Sequence, residues 1–136
     1  MTGRRSVRPA ARRRVQPAPA PDLLSWVETA CADLKAVDGV VLDLRKLSDA
    51  ADFFVVVSGT SDTHVRAIAE HVVEALWEHG ARAHHVEGLA GGRWVLLDFV
   101  DLVVHVFHPT LREFYQLEGL WGDAPLRPVS TGEVTR

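Results

Sequence analysis

Residues 93–109 read RWVLLDFVDLVVHVFHP, two strongly apolar runs separated by a short break containing Asp98 and Asp101. Runs this rich in Val, Leu and aromatic residues, with Gly91-Gly92 before them and Pro109 after, predict two paired strands rather than a helix. A loop of two residues, Val100-Asp101, sets Phe99 opposite Leu102 and fixes the register outward from there. Side chains alternate along a strand, so Trp94, Leu96, Asp98, Val103, His105 and Phe107 share one face of the hairpin. Val95, Leu97, Phe99, Leu102, Val104 and Val106 share the other. A four-residue loop from Phe99 to Leu102 keeps these faces, whereas a three-residue loop flips one strand. Val100-Asp101 is poor chemistry for a two-residue turn, which favours Gly or Asn at positive φ. One face is purely aliphatic and aromatic, as a core requires. The other mixes Trp94 and Phe107 with a histidine and an aspartate, and needs a cover of its own.

The 136-residue length suits one domain, with 47% hydrophobic and 24% charged residues in the usual range for a globular protein. No apolar run approaches the ~20 residues of a membrane helix, and no signal-peptide core follows the N-terminus. The single cysteine, Cys31, excludes an internal disulfide and fits a reducing, cytoplasmic setting; it reads as a small buried residue of the first helix. The net charge of −3 conceals a division: residues 1–21 hold six arginines and no acid, and the remainder holds 9 basic and 18 acidic residues. An acidic body is a poor match for phosphate backbones, and a basic protein is its more natural partner. The arm, with four prolines and no apolar periodicity, reads as disordered and solvating, with RNA contact as its alternative use.

Along the body, Asp22 caps a helix expected to run to Val37, with Gly39 as its stop. Val40 to Arg45 and Phe53 to Ser58 are strands. Thr60 or Ser61 caps a helix that ends at Gly80 and buries Val65, Ile68, Val72, Ala75 and Leu76. His84 to Glu87 is a short strand, Gly88 to Gly92 a turn, and the central hairpin follows. Pro109 opens a last helix through Leu111, Phe114, Tyr115 and Leu117. This order predicts a single α/β domain, a mixed sheet of about five strands with flanking helices, over residues 22–123. Residues 1–21 form an arm and residues 124–136 a flexible tail.

Chemical signals are sparse. The turn Gly59-Thr60-Ser61-Asp62 follows a strand and opens a helix, so its amides could hold an anion, but it lacks phosphate-loop spacing and Asp62 would repel a phosphate. A nucleotidyltransferase would need two strand carboxylates one residue apart to hold magnesium. The acids after Gly59 (Asp62, Glu70, Glu74 and Glu78) all lie on the helix. His84, His85, His105 and His108 with Asp98 and Asp101 show no metal-ligand spacing. No catalytic residue, metal or cofactor is therefore expected. The mixed hairpin face, with Tyr115 and Trp121 after it, reads equally as an interface or as core packed under a helix.

Several motifs resemble the ribosomal silencing factor (RsfS, or Iojap) family in order and spacing across residues 23–125. They are Leu47-Ser-Asp-x-Ala-Asp-Phe-Phe54, Ser58-Gly-Thr-Ser-Asp62, His64-Val-Arg-Ala-Ile-Ala-Glu-His71, Val86-Glu-Gly88, Trp94-Val-Leu-Leu-Asp98, Asp101-Leu-Val-Val-His-Val-Phe-His-Pro109, Arg112-Glu-Phe-Tyr115 and Leu120-Trp-Gly-Asp123. The resemblance implies a nucleotidyltransferase-like fold without catalysis. It also implies binding to the large ribosomal subunit at its fourteenth protein, a steric block to small-subunit joining under nutrient limitation, and homodimers when free. Carried over motif by motif, its contact surface is Trp94, Asp98, Asp101, His105, Phe107 and Tyr115. The chain departs from the pattern at Val100, where the family usually has glycine, and in residues 1–21.

Overall fold

The apolar pattern folds as an antiparallel hairpin between β4 (Trp94–Asp98) and β5 (Leu102–Phe107) in the computed structural model, which describes residues 19–115, 122 and 124–129. Its register pairs Trp94 with Phe107, Leu96 with His105 and Asp98 with Val103, and Phe99 N–H donates to the Leu102 carbonyl at 2.9 Å. The face assignment read from sequence is therefore the one the hairpin adopts. The other strands are β1 (Val37–Asp43), β2 (Phe53–Ser58), β3 (His85–Glu87) and β6 (Leu126–Pro128), in the order β3-β4-β5-β2-β1-β6. The β2–β5 pair is parallel and the remaining pairs are antiparallel. The fold is the mixed α/β domain expected, with six strands rather than about five. The additional strand, β6, lies within the segment the sequence assigns to the tail; three residues are too few to show an apolar period.

Helices α1 (Pro19–Asp33) and α2 (Asp62–Glu78) cover one face of the sheet. Leu23, Val27, Ala30 and Cys31 of α1 and Val65, Ile68, Val72 and Leu76 of α2 meet Val55, Val57, Val95, Leu97, Leu102, Val104 and Val106 in one buried cluster. Full burial of each Val, Leu or Ile contributes about 1.5–3 kcal/mol, so this layer is the main source of stability. Ser61 caps α2 by accepting from the His64 N–H at 3.1 Å. Cys31 belongs to this core, and its thiol is pushed up to about 12, first by burial and then by the Glu28 charge, which leaves it unreactive.

The first helix begins at Pro19, so residues 19–21 of the expected arm are helical and Asp22 lies within the first turn rather than at the cap, and it stops four residues before the expected Val37. Lys35 adopts φ +58°, and Lys35 N–H to Ala32 and Ala36 N–H to Cys31 close the C-terminal turn at 3.0 Å each. Such a closure is commonly built on glycine, and here a lysine makes it. Gly39 serves packing instead: a Cβ there would lie 2.7 Å from Val129 Cγ2, against the end of β6. Helix α3 (Pro109–Tyr115) begins as expected, with His108 Nδ1 accepting from Thr110 N–H at 3.3 Å and its carbonyl accepting from Leu111 N–H. The expectations for residues 1–18 and for Leu117 and Trp121, and for the side chains of Phe114 and Tyr115, lie outside the described residues.

Candidate functional site

The face of the sheet opposite α1 and α2 is covered at one end. Leu42, Leu44, Val56, Phe107 and Ala124 form a second buried cluster, with Leu111 of α3 packed against it. Arg112 of α3 donates to Ser58 Oγ at 2.9 Å and to the Asp38 carbonyl at 2.7 Å, fastening the short helix over that end. Along β4 and toward the hairpin tip the cover thins. Phe54, Trp94, Leu96, Asp98 and Val103 are each only partly buried, and they adjoin one another through the β4–β5 and β2–β5 registers.

Trp94 is the largest side chain of this region. Its indole N–H donates to His105 Nδ1 at 3.2 Å, and its ring lies 4.9 Å from Phe107 at an interplanar angle of 30°. Indole is a donor only, so His105 Nδ1 is the acceptor and the proton of the neutral imidazole sits on Nε2. His105 is 4% exposed, and burial lowers its pKa to about 4, which keeps that acceptor available at neutral pH. Among the described residues no hydrogen-bond partner reaches Nε2, and the ring meets Phe54 edge-on at 4.7 Å. The backbone around Trp94 is equally constrained. Gly88 holds φ +83°, and a Cβ there would fall 2.1 Å from the Trp94 carbonyl oxygen, so only glycine allows this approach.

The six residues that the family resemblance nominates are not equivalent. Trp94, Asp98, His105 and Phe107 share one face, as their alternation requires. Phe107 is completely buried, and its role is to support Trp94 from beneath. His105, nearly as buried, orients the indole. Asp98 accepts from the Val100 N–H at 2.7 Å through Oδ1. Asp101 is exposed in the turn, where its carbonyl accepts from Asp52 and Phe53 N–H at 2.7 and 3.2 Å and ties the hairpin to β2. Tyr115 ends α3, and its side chain lies outside the described residues. Sequence reasoning missed Phe54, whose place beside Val103 depends on the parallel β2–β5 pairing. An exposed His85–Glu87 pair, 2.6 Å apart on β3, borders the same region beside Asp98 and Leu96. The result is an apolar and aromatic centre with carboxylates around it.

The turn at the tip is strained. Val100 adopts φ +77°, and Asp101 N–H donates to the Phe99 carbonyl at 3.0 Å, closing a three-residue turn of the rarer γ class. A β-branched residue at positive φ is an outlier that costs on the order of 1–3 kcal/mol.

The Gly59–Asp62 turn is engaged internally. Gly59 N–H donates to the Phe107 carbonyl, Thr60 N–H to His64 Nδ1 at 2.8 Å and His64 N–H to Ser61 Oγ, so these three amides are already engaged within the protein. His64 Nε2 then meets the Leu34 carbonyl at 2.8 Å, so this turn couples the two helices. Among the described residues no group of three His, Cys, Asp or Glu side chains is placed to hold a metal ion.

Residues 17–136 match the family model described as ribosomal silencing factor during starvation. The chain belongs to the ribosomal silencing factor family. It is 43% identical over 110 residues to ribosomal silencing factor RsfS of Bacillus subtilis, covering 81% of this chain and 93% of that protein. A crystal structure of a Chromobacterium violaceum protein superposes with a TM-score of 0.74 at 36% identity, over 75% of this chain and 85% of that one. The mitochondrial assembly of ribosomal large subunit protein 1 of Mus musculus is 30% identical over 122 residues, 84% of this chain and 54% of that protein. Membership of this family makes the chain a ribosome-associated silencing factor, and the half-covered sheet face is its candidate contact surface.

Proposed function

We propose that the chain represses translation by binding the large ribosomal subunit, through its fourteenth protein, and occupying space that the small subunit needs. The observation that carries this reading is the oriented, partly exposed Trp94 on a sheet face that is only partly buried along β4. Buried-edge aromatics held by fixed polar groups are characteristic anchors of protein interfaces. The carboxylates of Glu87, Asp98 and Asp101 around that face suit a basic ribosomal protein and would speed encounter more than they strengthen the complex. An interface of about 1,200–2,000 Å² is sufficient, and no chemical step is required. We assign no catalytic residue and no cofactor. In the free protein the same face is available for homodimerisation, and the arginine-rich arm is available for ribosomal RNA. Cytoplasmic action under nutrient limitation follows from the same reading.

The test is sedimentation of the full chain with separated large and small subunits. The wild type should co-migrate with the large subunit alone and reduce joined ribosomes. Trp94→Ala should lose both effects, with binding weakened by about 2–4 kcal/mol. Failure of the wild type to co-migrate contradicts the reading.

A further inference from the structure

Val100 stands at the tip of the candidate contact face, 55% exposed, in a backbone conformation that suits glycine. Its strain is maintained from several directions. Asp98 Oδ1 holds its amide, the Phe99–Leu102 bond closes the strands, and two amides of residues 52–53 hold the Asp101 carbonyl. Its isopropyl group joins neither of the buried apolar clusters among the described residues. A valine that served the fold would be expected to bury its side chain, and one that merely completed a turn would be expected to have been a glycine or asparagine. Here the conformation presents two methyl groups to solvent between the carboxylate-bearing residues Asp98 and Asp101.

We infer that Val100 is a specificity-determining contact residue at the edge of the docking face, entering an apolar depression bordered by cationic groups on a basic protein partner. This rests on the docking reading above. Val100 follows Asp98, the last residue of β4, and is itself an exposed apolar side chain. The exposed Asp101 beside it supplies the charge that fits a basic surround. The same residue thus weakens the isolated fold and strengthens the complex, and those two effects have opposite signs on substitution.

The experiment compares wild type, Val100→Gly, Val100→Asn and Trp94→Ala as full chains, recording the thermal midpoint, the sedimentation state and the affinity for purified large ribosomal subunits at one salt concentration. Glycine and asparagine both tolerate positive φ. Both Val100 variants should raise the midpoint, by about 4 °C for relief of strain in a domain of this size. Both should bind the large subunit about tenfold more weakly, the scale of losing one partly desolvated aliphatic contact. A raised midpoint with unchanged affinity overturns the inference, since the strain then serves no contact. A lowered midpoint also overturns it, by showing that Val100 packs within the fold. Weakened self-association with unchanged subunit affinity would make the partner a second copy and overturn the assignment. If Trp94→Ala binds normally while the Val100 variants do not, the inference about the tip stands and the Trp94-centred reading fails.

Discussion

The two faces of this sheet use apolar residues for different ends. On the helix side Val55, Val57, Val95, Leu97, Val104 and Val106 are fully buried beneath α1 and α2, with no polar side chain from β4 or β5 among them. On the other side the same two strands contribute Trp94, Leu96, Asp98, Val103, His105 and Phe107, of which His105 and Phe107 are buried and the other four only partly so. The first face is closed by the protein itself. The second holds Trp94 through its hydrogen bond to His105 and is only partly buried at Phe54, Leu96, Asp98 and Val103. Strand alternation can therefore produce a closed face and a less completely covered one from a single run of residues, and the polar residues of these two strands lie on the second.

Truncation on the closed face should have the largest effect. Leu97→Ala leaves a cavity in a fully buried layer and should lower unfolding free energy by about 2–5 kcal/mol in denaturant titration, with the affinity of the remaining folded fraction for the large subunit unchanged. A loss under 1 kcal/mol would mean that the helices do not close this face tightly.

Acid should act on the opposite face. The folded pKa of His105 is lowered from 6.5 to about 4 by burial, so the unfolded chain takes up the proton first as pH falls. The stability conferred by the neutral ring is complete above pH 6.5 and is lost as pH falls toward 4, by about 3 kcal/mol in all. His105→Leu should flatten this part of the pH profile. An unchanged slope would show that other groups carry it.

A smaller effect is expected where the closed face meets the sheet edge. Glu28 lies buried in α1 with a side-chain exposure of 8%, and its Oε2 is 2.7 Å from Nη2 of the half-exposed Arg127 on β6. Arg127→Ala removes the partner of a buried carboxylate. Solvent access on the arginine side limits the cost to about 1–2 kcal/mol in denaturant titration, well below that of a fully buried pair. Smallest of all, Asp101→Asn on the open face should change stability by less than about 0.5 kcal/mol. Its signature is a slower association with the large subunit at low salt, a difference that added salt should remove.

The contrast between faces was legible in the sequence because the hairpin is local: alternation and one turn length determine the register of Trp94 through Phe107. The strand Phe53–Ser58 and the cap at Ser61 were legible for the same reason. What lay beyond a single sequence was set by contacts distant in the chain. Phe54 joins the open face only through parallel pairing with β5, and Phe107 is buried only because α3 and the segment around Ala124 close over it. The short strand β6 depends on β1 for its existence. The early end of α1 was missed because a lysine occupies a position where glycine would have signalled the stop.

The most direct measurement is hydroxyl-radical footprinting of the full chain, free and bound to large ribosomal subunits. Two tryptophans report separately: Trp77 is 62% exposed on α2, on the helix side, and Trp94 lies on the opposite face. Binding should protect Trp94, Leu96 and Val100 from oxidation and leave Trp77 unchanged. Protection of Trp77 with Trp94 unaffected would contradict the account and move the interface to the helices.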